Sequence, residues 1–361
     1  MRKLASIRII SELVPIGGKD RILLATVDGW HVIVKKDEFK AGDKCVYIEI
    51  DSVLPEKEEF EFLRKSNFRI RTMKLGGVIS QGICFPLGIL PQRCFGEYEV
   101  GEDVTETLGI KQYEGTMDTE PKEIRHRSKR KYPKFLMRMG WFRKAVQRKS
   151  GREDFPSFIK KTDEVRIQNI PEILKNKEQW IATEKIDGQS GTFCLVRHKA
   201  FLPFLKDRFE YMVCSRNCRL LTKDNSSYFT VSERYGIENI LRKLIGNSEW
   251  VAIQGECIAP GVQGNKYKTE TADLYVFNLV YPTGRLDSVS AREILSQYGM
   301  KFVPIISADY VLPDTVDEVL EYAHGKSALG NTLREGIVFR STDGVHSFKA
   351  VDPLYLMKYD E

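Results

Sequence analysis

The segment WIATEKIDGQSGTF sets Lys185-Ile186-Asp187-Gly188 between two apolar, strand-like runs. A lysine at a strand end, just before a turn, projects into whatever cleft the strand borders, and a neutral amine there is a nucleophile for covalent catalysis. An unperturbed lysine titrates near ~10.4, so that role needs nearby positive charge to free the lone pair. Lys-x-Asp-Gly alone also describes a β-turn with a solvent-facing lysine. Other patterns offer little competition. Gly18-Lys19 is followed by Asp20 and lacks the upstream glycine of a P-loop, and neither G-x-G-x-x-G nor H-E-x-x-H occurs. Cys214 and Cys218 have no second pair to complete a zinc site, and the five histidines are scattered.

The elements that must position this lysine are legible in outline. The chain has 361 residues, 42% of them hydrophobic, enough for two domains with separate cores. Residues 1–112 read as short strands punctuated by turns. Asp28-Gly29 separates two apolar runs as a hairpin loop whose central residues both favour positive φ, and Gly76-Gly77 divides another strand pair. A small β-barrel follows, with an OB-fold as the commonest match in size. From residue 153 onward strands and helices mix in an α+β pattern. Strands are expected at Trp180–Cys194, Tyr211–Ser215, Trp250–Cys257, Leu274–Val280 and Gly336–Phe339, and a helix at Ser232–Ile245.

Between these units lies a connector, residues 113–152. Its stretch 121–152 holds thirteen Lys or Arg against the single acid Glu123, although the whole chain carries only +6. Phe135, Met139, Phe142 and Val146 recur at helical spacing within it, which predicts a basic amphipathic helix. Such a helix contacts a nucleic-acid backbone, a membrane surface or a partner protein, or is a solvated connector that packs its apolar face on a neighbouring domain. No apolar run reaches the roughly 18 residues of a membrane span. Arg8 and Glu12 interrupt the start of the chain, which lacks a secretory cleavage pattern. Seven cysteines without paired spacing fit reduced thiols. A soluble intracellular protein is expected, cytoplasmic, nuclear or in an organelle.

Five further blocks follow the lysine motif in order: Cys214-Ser215-Arg216-Asn217, Gln254-Gly255-Glu256, Tyr275-Val276-Phe277-Asn278, Glu335-Gly336-Ile337-Val338-Phe339-Arg340 and Ser347-Phe348-Lys349. Together the six resemble the nucleotide-binding motifs of the covalent nucleotidyltransferases, the superfamily of ATP-dependent polynucleotide ligases and mRNA capping enzymes. The run KKTDEVRIQNIPE, Lys160 to Glu172, is similar to the RNA ligase branch. A barrel ahead of the catalytic domain, with twelve residues after Lys349, resembles the Deinococcus and Naegleria type of RNA ligase. DNA ligases and capping enzymes carry their OB domain after the last motif. The resemblance implies an α+β protein in which an OB-like barrel (1–112) and a basic linker (113–152) precede an ATP-grasp-like nucleotidyltransferase domain (153–361).

It also implies a reaction and a site. The amine of Lys185 attacks the α-phosphorus of ATP and expels pyrophosphate. AMP then passes to an RNA 5′-phosphate, and an RNA 3′-hydroxyl displaces it. By the same resemblance Asp187, Glu256 and Glu335 hold magnesium or manganese, often through water, with ribose binding an alternative for Glu256. Arg216 contacts phosphate or ribose, Asn217 positions the RNA 5′-phosphate, and Glu184 borders the adenine. Phe277 either stacks on adenine or belongs to the core. Lys349 neutralises the α-phosphate. Relatives often have two lysines in the last motif, separated by one residue. Here Ser347 and Val351 occupy the flanking places, so Lys349 acts alone or a lysine such as Lys358 folds back.

The expected partner is RNA, including a nicked duplex with an RNA 3′-hydroxyl strand, and a monomer is expected. Trp30, Phe68, Lys35, Lys36, Arg69, Arg71 and Lys74 are candidates for the nucleic-acid surface of the barrel, since such folds combine aromatic platforms with a cationic groove. The rivals are a DNA ligase or capping guanylyltransferase, decided by ATP against GTP and RNA against DNA, and a non-catalytic RNA-binding protein.

Overall fold

A computed structural model describes residues 3–94, 96–113, 139, 151–200, 206–223 and 226–359. The amphipathic helix expected around Phe135, Phe142 and Val146 lies outside these residues.

The N-terminal unit is a five-stranded antiparallel sheet ordered Trp30–Lys35, Lys19–Val27, Ala5–Ile16, Lys44–Ile48 and Ile83–Phe85. The long strand Ala5–Ile16 pairs with Lys44–Ile48 through its first half and with Lys19–Val27 through its second. A register shift between Ile10 and Glu12 lies in the second pairing, and such a bulge bends a strand. The sheet curls into a half-barrel around Ile7, Ile10, Trp30, Tyr47 and Phe60, all at most 1% exposed. Each such side chain contributes on the order of 2 kcal/mol by leaving water.

The hairpin forms at Asp28-Gly29, but only Asp28 has positive φ. Gly29 is there for a different reason. A Cβ at this position would stand 2.8 Å from Gln168 Cα and 2.9 Å from Val316 Cγ2, because the catalytic unit presses against the loop.

The rest of the chain builds two sheets. One has eight strands, with Gln189–His198, Trp250–Ile258 and Asp273–Tyr281 in its middle, and is covered by the helices Ser227–Tyr235, Ile237–Leu244 and Ser288–Ser296. The helix expected across Ser232–Ile245 is thus two helices, parted at Gly236. The other sheet runs Val165–Arg166, Ser347–Val351, Gly336–Ser341, Gln179–Lys185 and Ile305–Val311. The helix Val316–Ala323 packs on it, over Trp180, Phe339 and Phe348. Lys185 ends a strand of this second sheet and Gln189 begins a strand of the first. The turn between them therefore steps from one sheet to the other.

The two units meet through a short polar ladder. Trp30 Nε1 donates to Asn169 Oδ1 at 2.8 Å, Asn169 Nδ2 donates to Glu49 Oε1 at 2.8 Å, and the Gly29 amide donates to the Gln168 carbonyl at 3.1 Å. Asp51 lies 3.2 Å from Arg69 and 3.6 Å from Arg166. Among the described residues no helix is long and apolar enough to cross a membrane.

Candidate active site

The turn from Lys185 to Gln189 lines a cleft of about 760 Å³ between the two sheets. Its geometry follows from close packing. A Cβ on Gly188 would lie 2.5 Å from the Cys257 carbonyl and 3.0 Å from Glu256 Cγ, so only glycine lets the turn lie against the strand that carries Glu256. A buried pair keeps that strand in step with its neighbour: Asn278 Nδ2 donates to Gln254 Oε1 at 2.9 Å.

Lys185 Nζ lies 2.6 Å from Glu335 Oε2. Burial works against its charge, but Glu335, Glu256 and Asp187 outweigh that effect and hold its pKa above the ordinary lysine value. Among the protein's own groups the acids therefore outweigh the cations expected to lower it. The attraction of these three acids prevails. Burial, then repulsion from Glu335 and Asp187, push Glu256 up to about 8 against the pull of Lys185. Lys349 goes the other way. Burial, assisted by Arg166 and Lys185 and opposed by Asp163, lowers it to about 8.

All of the expected nucleotide and metal residues border this cleft, as do Arg216 and Asn217 at its exposed side. Phe277 lines it with Ile186, Val303 and Val338, an apolar end suited to a nucleobase. Glu184 turns its carboxylate away into a fixed structural bond. It is 1% exposed and accepts from Ser327 Oγ at 2.5 Å and from the Ala328 amide at 2.9 Å. Asp187 is also engaged, accepting from Tyr355 Oη at 2.6 Å and from Lys266 Nζ. Among the described residues no group of three or more metal-binding side chains converges on one point. The acids nonetheless suit a divalent cation held through water: their donors are all oxygen, and burial with mutual repulsion raises Glu256 and Glu335, which a bound cation would offset.

Lys358 does not fold back. It is exposed on the helix Pro353–Tyr359, against Tyr359. The positive charge beside Lys349 comes from Arg166, its register partner on a parallel strand. Sequence reasoning missed this arginine, together with Asp163, Lys266 and Tyr355. The first two stand inside the run KKTDEVRIQNIPE, which was their available signal.

The barrel candidates divide. Trp30 and Phe68 are core residues at 0% and 5% exposure, and so cannot serve as stacking platforms. Arg69 is 5% exposed, with its guanidinium bonded to Asp51 and laid 3.7 Å from the centre of the Tyr113 ring, which withdraws it from the surface. Arg71 is half-buried. Lys35, Lys36 and Lys74 are exposed. The two lysines of the hairpin stand at its far end from Gly29, since Val27 pairs with Trp30 and Ile22 with Lys35.

A half-barrel OB unit ahead of two sheets that enclose a lysine, three acids and facing cations defines a covalent nucleotidyltransferase of the polynucleotide ligase kind. The comparisons narrow the class. Residues 178–359 match the RNA ligase family, and residues 4–87 match an OB-fold domain. The chain belongs to the RNA ligase family. It is similar to the Naegleria gruberi RNA ligase in several solved structures. A variant with AMP and manganese is 33% identical over 99% of each chain, with a TM-score of 0.81. The form with pyrophosphate is 33% identical over 100% of this chain and 99% of that one, at 0.80. A variant with ATP and manganese is 33% identical over 99% of each, at 0.80. Among curated protein sequences no relative matches the chain.

Proposed function

We propose that this RNA ligase seals RNA through a lysine-bound nucleotide, with ATP as the donor and a divalent metal as cofactor. The amine of Lys185, once deprotonated to solvent, forms a bond to the α-phosphorus of ATP while the bond to the pyrophosphate oxygen breaks. The AMP so held passes to an RNA 5′-phosphate, and an RNA 3′-hydroxyl then displaces AMP to close the strand. The similar Naegleria gruberi RNA ligase, solved with ATP, AMP and pyrophosphate, supports ATP as the donor and pyrophosphate as the leaving group.

The observation that carries the reading is Lys185 Nζ at 2.6 Å from Glu335, in a cleft that also presents Lys349 and Arg216. Phosphoryl transfer is mostly positioning and charge neutralisation, and each residue has a part in that. Phe277, with Val338, receives the adenine. Lys349 and Arg216 take the phosphates, and Asn217 orients the incoming RNA 5′-phosphate. Glu256, Glu335 and Asp187 hold the cation through water. When bound, magnesium or manganese neutralises phosphate charge and relieves Lys185 of its carboxylate partners.

RNA would reach the cleft across the barrel, where Lys35, Lys36, Arg71 and Lys74 supply backbone contacts. An intracellular setting belongs to the same proposal: all seven cysteines are free, as a reducing compartment permits.

Incubation with α-labelled ATP and manganese should place label on Lys185, located by peptide mapping, and Lys185→Ala should take none. Label on another residue would dismiss this nucleophile.

A further inference from the structure

One oxygen spans the cleft. Asp163 Oδ1 accepts a 3.0 Å hydrogen bond from Lys349 Nζ and lies 3.3 Å from Arg216 Nη2. Lys349 belongs to the five-stranded sheet, and Arg216 follows the strand Arg208–Cys214 of the eight-stranded one. The neighbours of Asp163 are tied to the same two walls. Thr162 Oγ1 lies 2.7 Å from Ser190 Oγ on the eight-stranded sheet, and Glu164 Oε2 accepts from Ser347 Oγ at 2.6 Å on the five-stranded one. The backbone thus holds Asp163 over the cleft from both sides. Its side chain remains 44% exposed, against 17% for Glu164, so it can give up its partners without being dragged out of a core.

A carboxylate oxygen between a lysine and an arginine makes the same charge-assisted bonds that a phosphate oxygen makes. We propose that Asp163 is a built-in stand-in for phosphate, a positioning residue that holds Lys349 and Arg216 facing each other across the cleft and is displaced when the phosphates of ATP arrive. This rests on the functional reading above and adds a cost to it. Nucleotide binding must break two ion pairs before it makes its own.

Asp163→Asn keeps the shape and removes the competing charge. Loss of two partly exposed pairs should tighten binding of α,β-methylene-ATP by about threefold or more. In steady-state adenylylation the same variant should show a lowered KM for ATP with kcat little changed. Adenosine, which has no phosphate, should bind the variant and the parent equally. A gain confined to the phosphate-bearing ligand cannot arise from general loosening of the fold. Equal or weaker binding of α,β-methylene-ATP, or a parallel change with adenosine, would overturn the proposal. Labelling of Lys185 in the parent protein reports separately on the functional reading, so the two can fail independently.

Discussion

The hydroxyl of Tyr355 donates a 2.6 Å hydrogen bond to Asp187 Oδ2, joining the helix Pro353–Tyr359 to the turn that follows Lys185. Burial, and then the charge of Asp187, raise the pKa of Tyr355 and keep it a donor. The next residue of the helix connects this bond to the barrel, because Leu356 packs against the N-terminal core. The barrel and the catalytic turn are therefore in mechanical contact.

Tyr355→Phe removes this bond together with the 2.9 Å one that Tyr355 Oη accepts from Lys266 Nζ. A buried acceptor that keeps its lysine partner but loses a hydroxyl should cost about 1–2 kcal/mol, read as a lower thermal midpoint. Lysine adenylylation should slow in the same variant, since Asp187 is then oriented by Lys266 alone. Unchanged labelling kinetics at lowered stability would reduce Tyr355 to a fold contact.

Lys349 should impose a pH dependence on ATP affinity. Its folded pKa is about 8, below the ordinary lysine value. The amine is charged below that point and discharges as pH rises through it, so binding of α,β-methylene-ATP should weaken above about pH 8. Stability should move in the opposite sense. Between the folded value and the unfolded one near ~10.4, the unfolded chain binds more protons, so Lys349 contributes stability that grows with pH across that window. Lys349→Arg should flatten the binding profile, and a profile of the same shape in this variant would assign the titration elsewhere.

Gly188→Ala should spare the fold and damage the chemistry. The added methyl group meets the Cys257 carbonyl and Glu256 Cγ, so the turn must move away from the strand bearing Glu256. Displacement of about 1 Å at a reacting centre costs on the order of a hundredfold in rate. Single-turnover labelling of Lys185 would show it, and a rate within a factor of about three of the parent would refute this account of the turn.

The types and order of the residues that line the cleft were legible from the chain alone. Lys185, Glu256, Glu335 and Lys349 lie in short blocks whose sequence neighbours are strand formers, and local pattern is enough to find such blocks. The strand–loop–strand reading of the N-terminal unit held for the same reason, since alternation and turn residues act over a few positions. Contacts between blocks carry no such local mark. Gly29 read as a turn residue but is required by the approach of Gln168 from another unit. Trp30 and Arg69 had the composition of an RNA-binding surface and were taken up by the core and by Asp51, because burial depends on what packs above a strand.

The same limit governed the electrostatics. From sequence, Lys185 needed a lowered pKa, and neighbouring cations were the natural means. Folding instead gathered three carboxylates around it and placed Arg166 and Lys349 side by side through a two-residue parallel pairing across more than 180 positions of chain. Sequence by itself determined which groups are available and the strands that carry them. Tertiary structure alone decided which charges share a low-dielectric cleft, because Coulomb energy depends on separation in space and on excluded water, and neither is a property of neighbours along the chain.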